Sequence, residues 1–70
     1  MIRVGSLVRY APAYRSPGEE KYIHIVREER MNPVTGGKRW LIETINTNLF
    51  LNPTETVDDC MIEEIENQEV

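Results

Sequence analysis

The chain lacks most of the devices that stabilise a short domain. Its 70 residues include one cysteine, Cys60, and one histidine, His24. A single cysteine excludes a disulfide within the chain, and one cysteine with one histidine is too few for a common zinc site without carboxylate ligands. Wholly apolar runs are no longer than two or three residues, which is far too short for a membrane-spanning helix. We therefore expect a folded soluble domain that uses no metal and no cofactor.

The sequence also lacks the signs of export. The segment Met1–Val8 has no continuous apolar stretch of the kind that a secretory signal requires. A single free thiol suits a reducing compartment, so we expect a cytoplasmic protein. The length allows one domain, predicted over residues 1–66, with a frayed tail at 67–70.

Positive charge is absent from the second part of the chain. All eight lysines and arginines lie within residues 1–39 beside four glutamates, which gives 8 − 4 = +4. Residues 40–70 carry eight acids and no lysine or arginine, which gives −8, and the whole chain has a net charge of −4. The charges either compensate one another across neighbouring strands or form a basic face for an anionic partner. The negative net charge of the whole chain argues against dedicated nucleic-acid binding.

Alternation of apolar and polar residues predicts short strands separated by turns. The first loop, residues 11–20, contains Pro12, Pro17 and Gly18 and is long for so small a domain. The segment 28–37 contains Asn32-Pro33 and Gly36-Gly37, which favour a turn. The predicted strands are Val4–Tyr10, Lys21–Arg27, Lys38–Asn46 and Leu49–Leu51.

The C-terminal part allows two interpretations. Residues 54–57 resemble a single helical turn, and an apolar stripe beyond it, which begins at Val57 and ends at Ile65, fits a helix capped by Thr56. The alternative is a last strand over Cys60–Glu66. We favour the strand, because four short strands alone would leave two exposed sheet edges.

This order of elements resembles the Src-homology-3-like barrel superfamily, including Tudor-type and KOW-type modules. The opening Val4–Tyr10 is similar to the glycine-apolar-valine start of such barrels, and Leu49–Pro53 with residues 54–57 looks like their penultimate strand and one-turn helix. The resemblance covers about residues 3–66. It implies an all-β fold, a small five-stranded barrel with a one-turn helix before the last strand.

The candidates for catalysis are weak. Adjacent acids such as Glu63-Glu64 point to opposite faces of a strand and cannot converge on one substrate atom. Gly36-Gly37-Lys38 lacks the earlier glycine and the following Ser or Thr of a phosphate-binding loop. A Cys60–His24 pair would also need an orienting group and an oxyanion hole. We therefore expect no enzymatic activity.

Binding is the remaining class of function. We predict a non-catalytic binding module that contacts a protein partner through the 11–20 loop or through an open strand edge. The alternative is an accessory protein that holds nucleic acid on a patch of basic and aromatic residues. In that alternative Trp40 stacks on bases, whereas the simpler interpretation places Trp40 in the core. The candidate binding residues are Arg9, Tyr10, Tyr14, Arg15, Lys38, Arg39 and Trp40.

Overall fold

A computed structural model describes residues 1–65 and shows one antiparallel sheet of five strands. No α-helix occurs within these residues, and the connections contain three short 3₁₀ turns. The predicted all-β class with five strands is therefore confirmed. The strands are β1 (Leu7–Tyr10), β2 (His24–Met31), β3 (Lys38–Thr44), β4 (Thr54–Asp58) and β5 (Ile62–Glu64), and the 3₁₀ turns are Pro12–Tyr14, Glu19–Lys21 and Asp59–Met61.

The strand order across the sheet is β4-β3-β2-β1-β5. Each neighbouring pair is antiparallel, and over residues 1–65 the outer strands β4 and β5 each pair on one side only. The sheet is therefore not closed into a barrel, which corrects that part of the predicted architecture. The physical reason is that β4 and β5 are joined through the 3₁₀ turn Asp59–Met61 and do not pair with each other.

The core lies on one face of the sheet, which we call its inner face. Alternation along β3 buries Trp40 and Ile42, and each of the other four strands adds one buried apolar residue. Both side chains belong to one face of the predicted third strand, so this part of the prediction is confirmed. The buried apolar residues are Val8, Val26, Trp40, Ile42, Val57 and Ile62.

Local chemistry defines the β2–β3 hairpin. The Asn32 side-chain oxygen accepts hydrogen bonds from the backbone N–H groups of Val34 and Thr35, at 2.8 and 3.2 Å. Gly36 has φ +77°, a left-handed conformation that glycine adopts without a steric penalty. The predicted turn therefore exists, but it is shorter than predicted, because residues 28–31 belong to β2.

Two predictions for the segment 49–58 are wrong. Leu49–Leu51 is not a strand, because pairing with β3 begins only where the Thr44 N–H donates to the Pro53 carbonyl, at 2.9 Å. Residues 54–57 are not a helical turn, because Thr54, Thr56 and Val57 are β-branched and extend along β3 as β4.

The ambiguity at the C-terminal part resolves in favour of a strand. The helical turn lies later than predicted, at Asp59–Met61, and β5 covers only Ile62–Glu64 of the predicted Cys60–Glu66. The predicted tail at 67–70 lies outside the described residues, as does Glu66. Within residues 1–65, no helix is long and apolar enough to cross a membrane.

Candidate functional site

The loop 11–23, which joins β1 to β2, begins against the 3₁₀ turn Asp59–Met61 and folds back on itself. The Ala11 N–H donates to the Met61 carbonyl at 3.0 Å. Farther along, the Ser16 N–H donates to the Glu19 carboxylate at 2.8 Å, and the Glu19 N–H donates to the Ser16 carbonyl at 3.0 Å. These contacts order the loop and place Glu19 beside the sheet.

Two adjoining hollows lie between this loop and β4, and we call them together the tyrosine groove. They share Tyr10, Glu19 and Glu55. Their volumes are about 270 and 280 Å³. The first hollow is also lined by Tyr22, His24, Thr44, Thr47, Leu49 and Pro53, and the second by Tyr14, Thr56, Val57 and Met61.

His24 forms part of the wall of the first hollow. The residue is 5% exposed, and its Nδ1 lies 2.7 Å from the Thr44 hydroxyl oxygen. Its ring meets the Tyr10 ring edge-to-face, with centroids 5.1 Å apart. Among residues 1–65 no buried side-chain nitrogen or oxygen atom lacks a hydrogen-bond partner. Burial lowers the pKa of His24, although the carboxylates of Glu55 and Glu19 oppose this effect, so the ring is neutral at pH 7.

Tyr10 connects β1 with β4 across the groove. Its hydroxyl donates a hydrogen bond to the Glu55 carboxylate. Burial, followed by this hydrogen bond, raises the pKa of Tyr10 well above its ordinary value. The phenol therefore remains a protonated donor towards the Glu55 side chain.

The edge of β4 presents unpaired backbone groups beside the groove. Because Thr44 and Pro53 form a hydrogen-bonded pair, alternation directs the polar backbone groups of Thr54, Thr56 and Asp58 away from β3. Within residues 1–65 these groups have no backbone partner on the outer side. An extended segment of another chain could pair with this edge.

An exposed apolar segment lies next to the same edge. Leu49, Phe50 and Leu51 are consecutive, and Phe50 is 98% exposed. Leu49 lines the groove, so the apolar segment and the groove are continuous. Consecutive exposed apolar residues are unusual on a protein surface and are typical of a contact site.

The structure brings together only some of the predicted binding residues. Tyr10 and Tyr14 line one hollow of the groove, and the Arg15 guanidinium donates to the Tyr10 carbonyl at 3.4 Å. Trp40 is 2% exposed and its indole N–H donates to Asp59 at 2.7 Å, as the core interpretation expects.

The remaining basic candidates lie close to acids. Arg9 contacts Glu63 at 2.7 Å. Arg39 contacts Asp58 at 2.8 Å. The Lys38 ammonium lies 5.6 Å from the centre of the Trp40 ring and 4.0 Å from a Glu29 oxygen. These positive charges are compensated by neighbouring carboxylates, as the simpler of the two charge interpretations expects.

Sequence reasoning did not single out Glu19, Glu55, Tyr22 and His24 as groove residues. Tyr22 and His24 lie two residues apart, which places them on one face if the strand begins at Lys21. That spacing was an available signal. No such signal pointed to Glu55, because residues 54–57 were predicted to form a helical turn.

Cys60 and His24, the candidate nucleophile and base, do not line a common hollow in the described part of the chain. Cys60 is exposed, and it does not line the hollow that contains His24. No group of three or more His, Cys, Asp or Glu residues within 1–65 is arranged to hold a metal ion. Comparison of the chain with family models, curated proteins and solved structures gives no match. The resemblance to Src-homology-3-like barrels therefore stays a prediction.

Proposed function

We propose that this protein is a non-catalytic binding module, and that the tyrosine groove holds an extended segment of a protein partner. The observation that carries the proposal is the position of the groove between the 11–23 loop and the open edge of β4. A segment lying there can pair with the backbone of Thr56 while its side chains enter the two hollows.

The apolar segment Leu49–Leu51 supports the same surface. Burying an exposed phenylalanine or leucine stabilises a complex by about 1.5–3 kcal/mol for each side chain. Phe50 makes no comparable contribution to the fold, because it is 98% exposed in the free chain. A partner that covers Phe50 and enters the groove gains affinity from both contacts.

The charges favour a protein partner over a nucleic acid. Four arginines, namely Arg9, Arg27, Arg30 and Arg39, each lie within 2.9 Å of a carboxylate oxygen. A phosphate backbone would have to displace these carboxylates, and it would also approach Glu19 and Glu55 at the groove.

Site-specific photo-crosslinking tests the proposal. A photoreactive amino acid is introduced at Tyr14 or Phe50 in the full chain, and also at Val34 as a matched control in the β2–β3 turn. Val34 is 89% exposed, but it lies outside the groove. We expect one protein partner to crosslink at Tyr14 and Phe50 and not at Val34. Equal labelling at Val34, or no labelling at the two groove positions, would contradict the proposal.

A second variant separates binding from folding. Replacing Tyr14 and Phe50 together by alanine should leave the circular dichroism spectrum and melting temperature nearly unchanged, because both side chains are exposed. The same substitution should abolish capture of the crosslinked partner. Capture at the level of the original chain would show that the partner binds elsewhere.

A further inference from the structure

We propose that the open edge of β4 pairs with the same edge of a second copy of this chain, in an antiparallel register centred on Thr56. The two sheets then continue into one another across a two-fold axis. This inference goes beyond the proposed function, because it assigns a partner to the strand edge itself and requires no occupant of the tyrosine groove.

The outer edge of β4 has the groups that such pairing requires. The backbone N–H and carbonyl groups of Thr54 and Thr56 point away from β3, and within residues 1–65 they have no backbone partner on that side. Lysine and proline, which commonly protect an exposed edge, are absent from Thr54–Asp58. Most residues of this strand are β-branched, which favours pairing with a further strand.

Alternation of the backbone restricts the register of the pair. Within β4, Thr54, Thr56 and Asp58 are the residues that direct backbone groups outwards, so neighbouring registers differ by two residues. The register centred on Thr56 pairs this residue with its own copy, and it pairs Thr54 with Asp58 of the second copy. All of β4 is then paired, through about four backbone hydrogen bonds between the copies.

Charge complementarity selects this register over its neighbours. With Thr56 at the two-fold axis, Glu55 lies opposite Val57 of the second copy, and no acid of β4 lies directly opposite another acid. Sliding the strand by two residues in one direction would place the two copies of Glu55 opposite each other. Sliding it in the other direction would place Glu55 opposite Asp59. Directly opposed like charges destabilise a strand pair, so both neighbouring registers are unfavourable.

The acids of β4 are engaged within their own chain. The Arg39 guanidinium lies 2.8 Å from the Asp58 carboxylate, and the Tyr10 hydroxyl donates to the Glu55 carboxylate. These side chains are therefore held by groups of their own sheet and do not guard the edge as free charges would. The other outer strand, β5, suits pairing less well, because it has three residues, of which two are adjacent glutamates.

The antiparallel arrangement also gives the exposed apolar segment a partner. It brings the N-terminal end of β4 in each copy beside the C-terminal end of β4 in the other. Phe50 and Leu51 precede β4 and are 98% and 76% exposed, whereas Met61 follows β4 and packs against the core while partly exposed. Apolar side chains of the two copies therefore lie at the same end of the paired strands, where their burial favours association.

The second copy and the proposed partner segment compete for the same backbone. A segment that pairs with Thr56 must displace the second copy, so binding of the partner should dissociate the dimer. In the crosslinking experiment, a product with twice the mass of the chain identifies a second copy, and any other mass identifies a different partner. A chain that does not dimerise leaves the proposed function standing, and a dimer without a further partner leaves this inference standing.

Sedimentation of the full chain over a range of concentrations measures the dimer. Thr56→Lys places like charges opposite each other at the two-fold axis and should weaken the dimer at least about threefold. Thr54→Lys is the matched control, because its new charge lies opposite Asp58 of the second copy and should leave the dimer unchanged or strengthen it. Both threonines are exposed, and circular dichroism checks that the variants remain folded. The net charge of −4 on each copy opposes association, so added salt should strengthen the dimer.

Disulfide formation tests the register. Thr56→Cys is combined with Cys60→Ser, and the chain is oxidised mildly. In the proposed register the Cα atoms of the two Thr56 positions lie about 5.5 Å apart, which a disulfide spans. Thr54→Cys in the same background is the control, because its two positions lie about 14 Å apart along the strands. We expect a covalent dimer from the first variant and not from the second.

Three results would overturn the inference. The first is a chain that stays monomeric at about 1 mM. The second is equal dimerisation of the Thr56→Lys and Thr54→Lys variants. The third is a covalent dimer that forms equally well from the Thr56→Cys and Thr54→Cys variants, or from neither of them.

Discussion

Acidification should destabilise the fold through its only histidine. Burial lowers the folded-state pKa of His24 below its ordinary value of 6.5, so the folded chain favours the neutral ring. The unfolded chain binds a proton more readily, and stability therefore rises with pH in this range. The contribution is fully present above about pH 6.5, and it is lost as the pH falls from there towards the folded-state pKa.

The charges that face His24 determine how large this effect can be. Glu19 and Glu55 favour the protonated ring, but burial is the larger influence. Tyr10 beside it stays neutral in this pH range, because its pKa is raised above the ordinary value. A single site cannot change the free energy of unfolding by more than about 1.4 kcal/mol per pH unit. The measured slope between pH 7 and 5.5 should be positive and below this limit.

Urea unfolding at closely spaced pH values measures the slope, with His24→Gln as the control. The variant loses the titrating ring, so its stability should vary less over the same interval, whatever its absolute stability. Glu43 and Glu64 do not confuse the result, because their pKa values are lowered and they lose their contribution only at more acidic pH. An equal slope in the variant, or a wild-type chain that gains stability on acidification, would refute the reasoning.

Three further predictions concern stability and are measured by chemical denaturation. Phe50→Ser should change the free energy of unfolding by less than about 0.5 kcal/mol, because the ring is exposed; a larger loss would mean that the segment packs on the fold. Ile42→Ala should cost about 2–5 kcal/mol, since this side chain is 1% exposed in the core; a near-neutral result would contradict the packing described. Asp59→Ala should cost about 1–2 kcal/mol, because it removes the acceptor of the Trp40 indole N–H. The same substitution should cost much less in a Trp40→Phe background, and an equal cost in both backgrounds would contradict the hydrogen bond.

Much of the fold was predictable because alternation reports burial. Val8, Trp40 and Ile42 stand at period-two positions, and each is buried as a strand residue of the inner face. The hairpin at 32–37 was also predictable, since Asn32 and Gly36 have side-chain and backbone properties that such a turn uses. These signals are local, so they need no knowledge of the partner strand.

The errors concern features that depend on distant partners. Leu49–Leu51 has the composition of a strand, but pairing of this part of the chain with β3 begins only at Pro53. No local pattern in the sequence encodes that register. Closure of the sheet likewise depends on whether β4 meets β5. Only Tyr10 and Tyr14 of the groove were predicted as binding residues. Glu55 was missed, because it reaches Tyr10 through a contact that spans 45 positions of the sequence.

The open edge and the groove have one structural origin. In a closed barrel the backbone of Thr56 would be paired, and Glu55 would have less access to solvent. Because β4 pairs only with β3 over the described residues, the 11–23 loop can approach it and enclose a hollow with Tyr10 and His24. A small domain with six buried apolar side chains among residues 1–65 is only marginally stable, so an unpaired edge is a considerable cost. The exposed Phe50 and the unpaired edge both lie on this side, so a partner that covers them would stabilise the folded chain through both contacts.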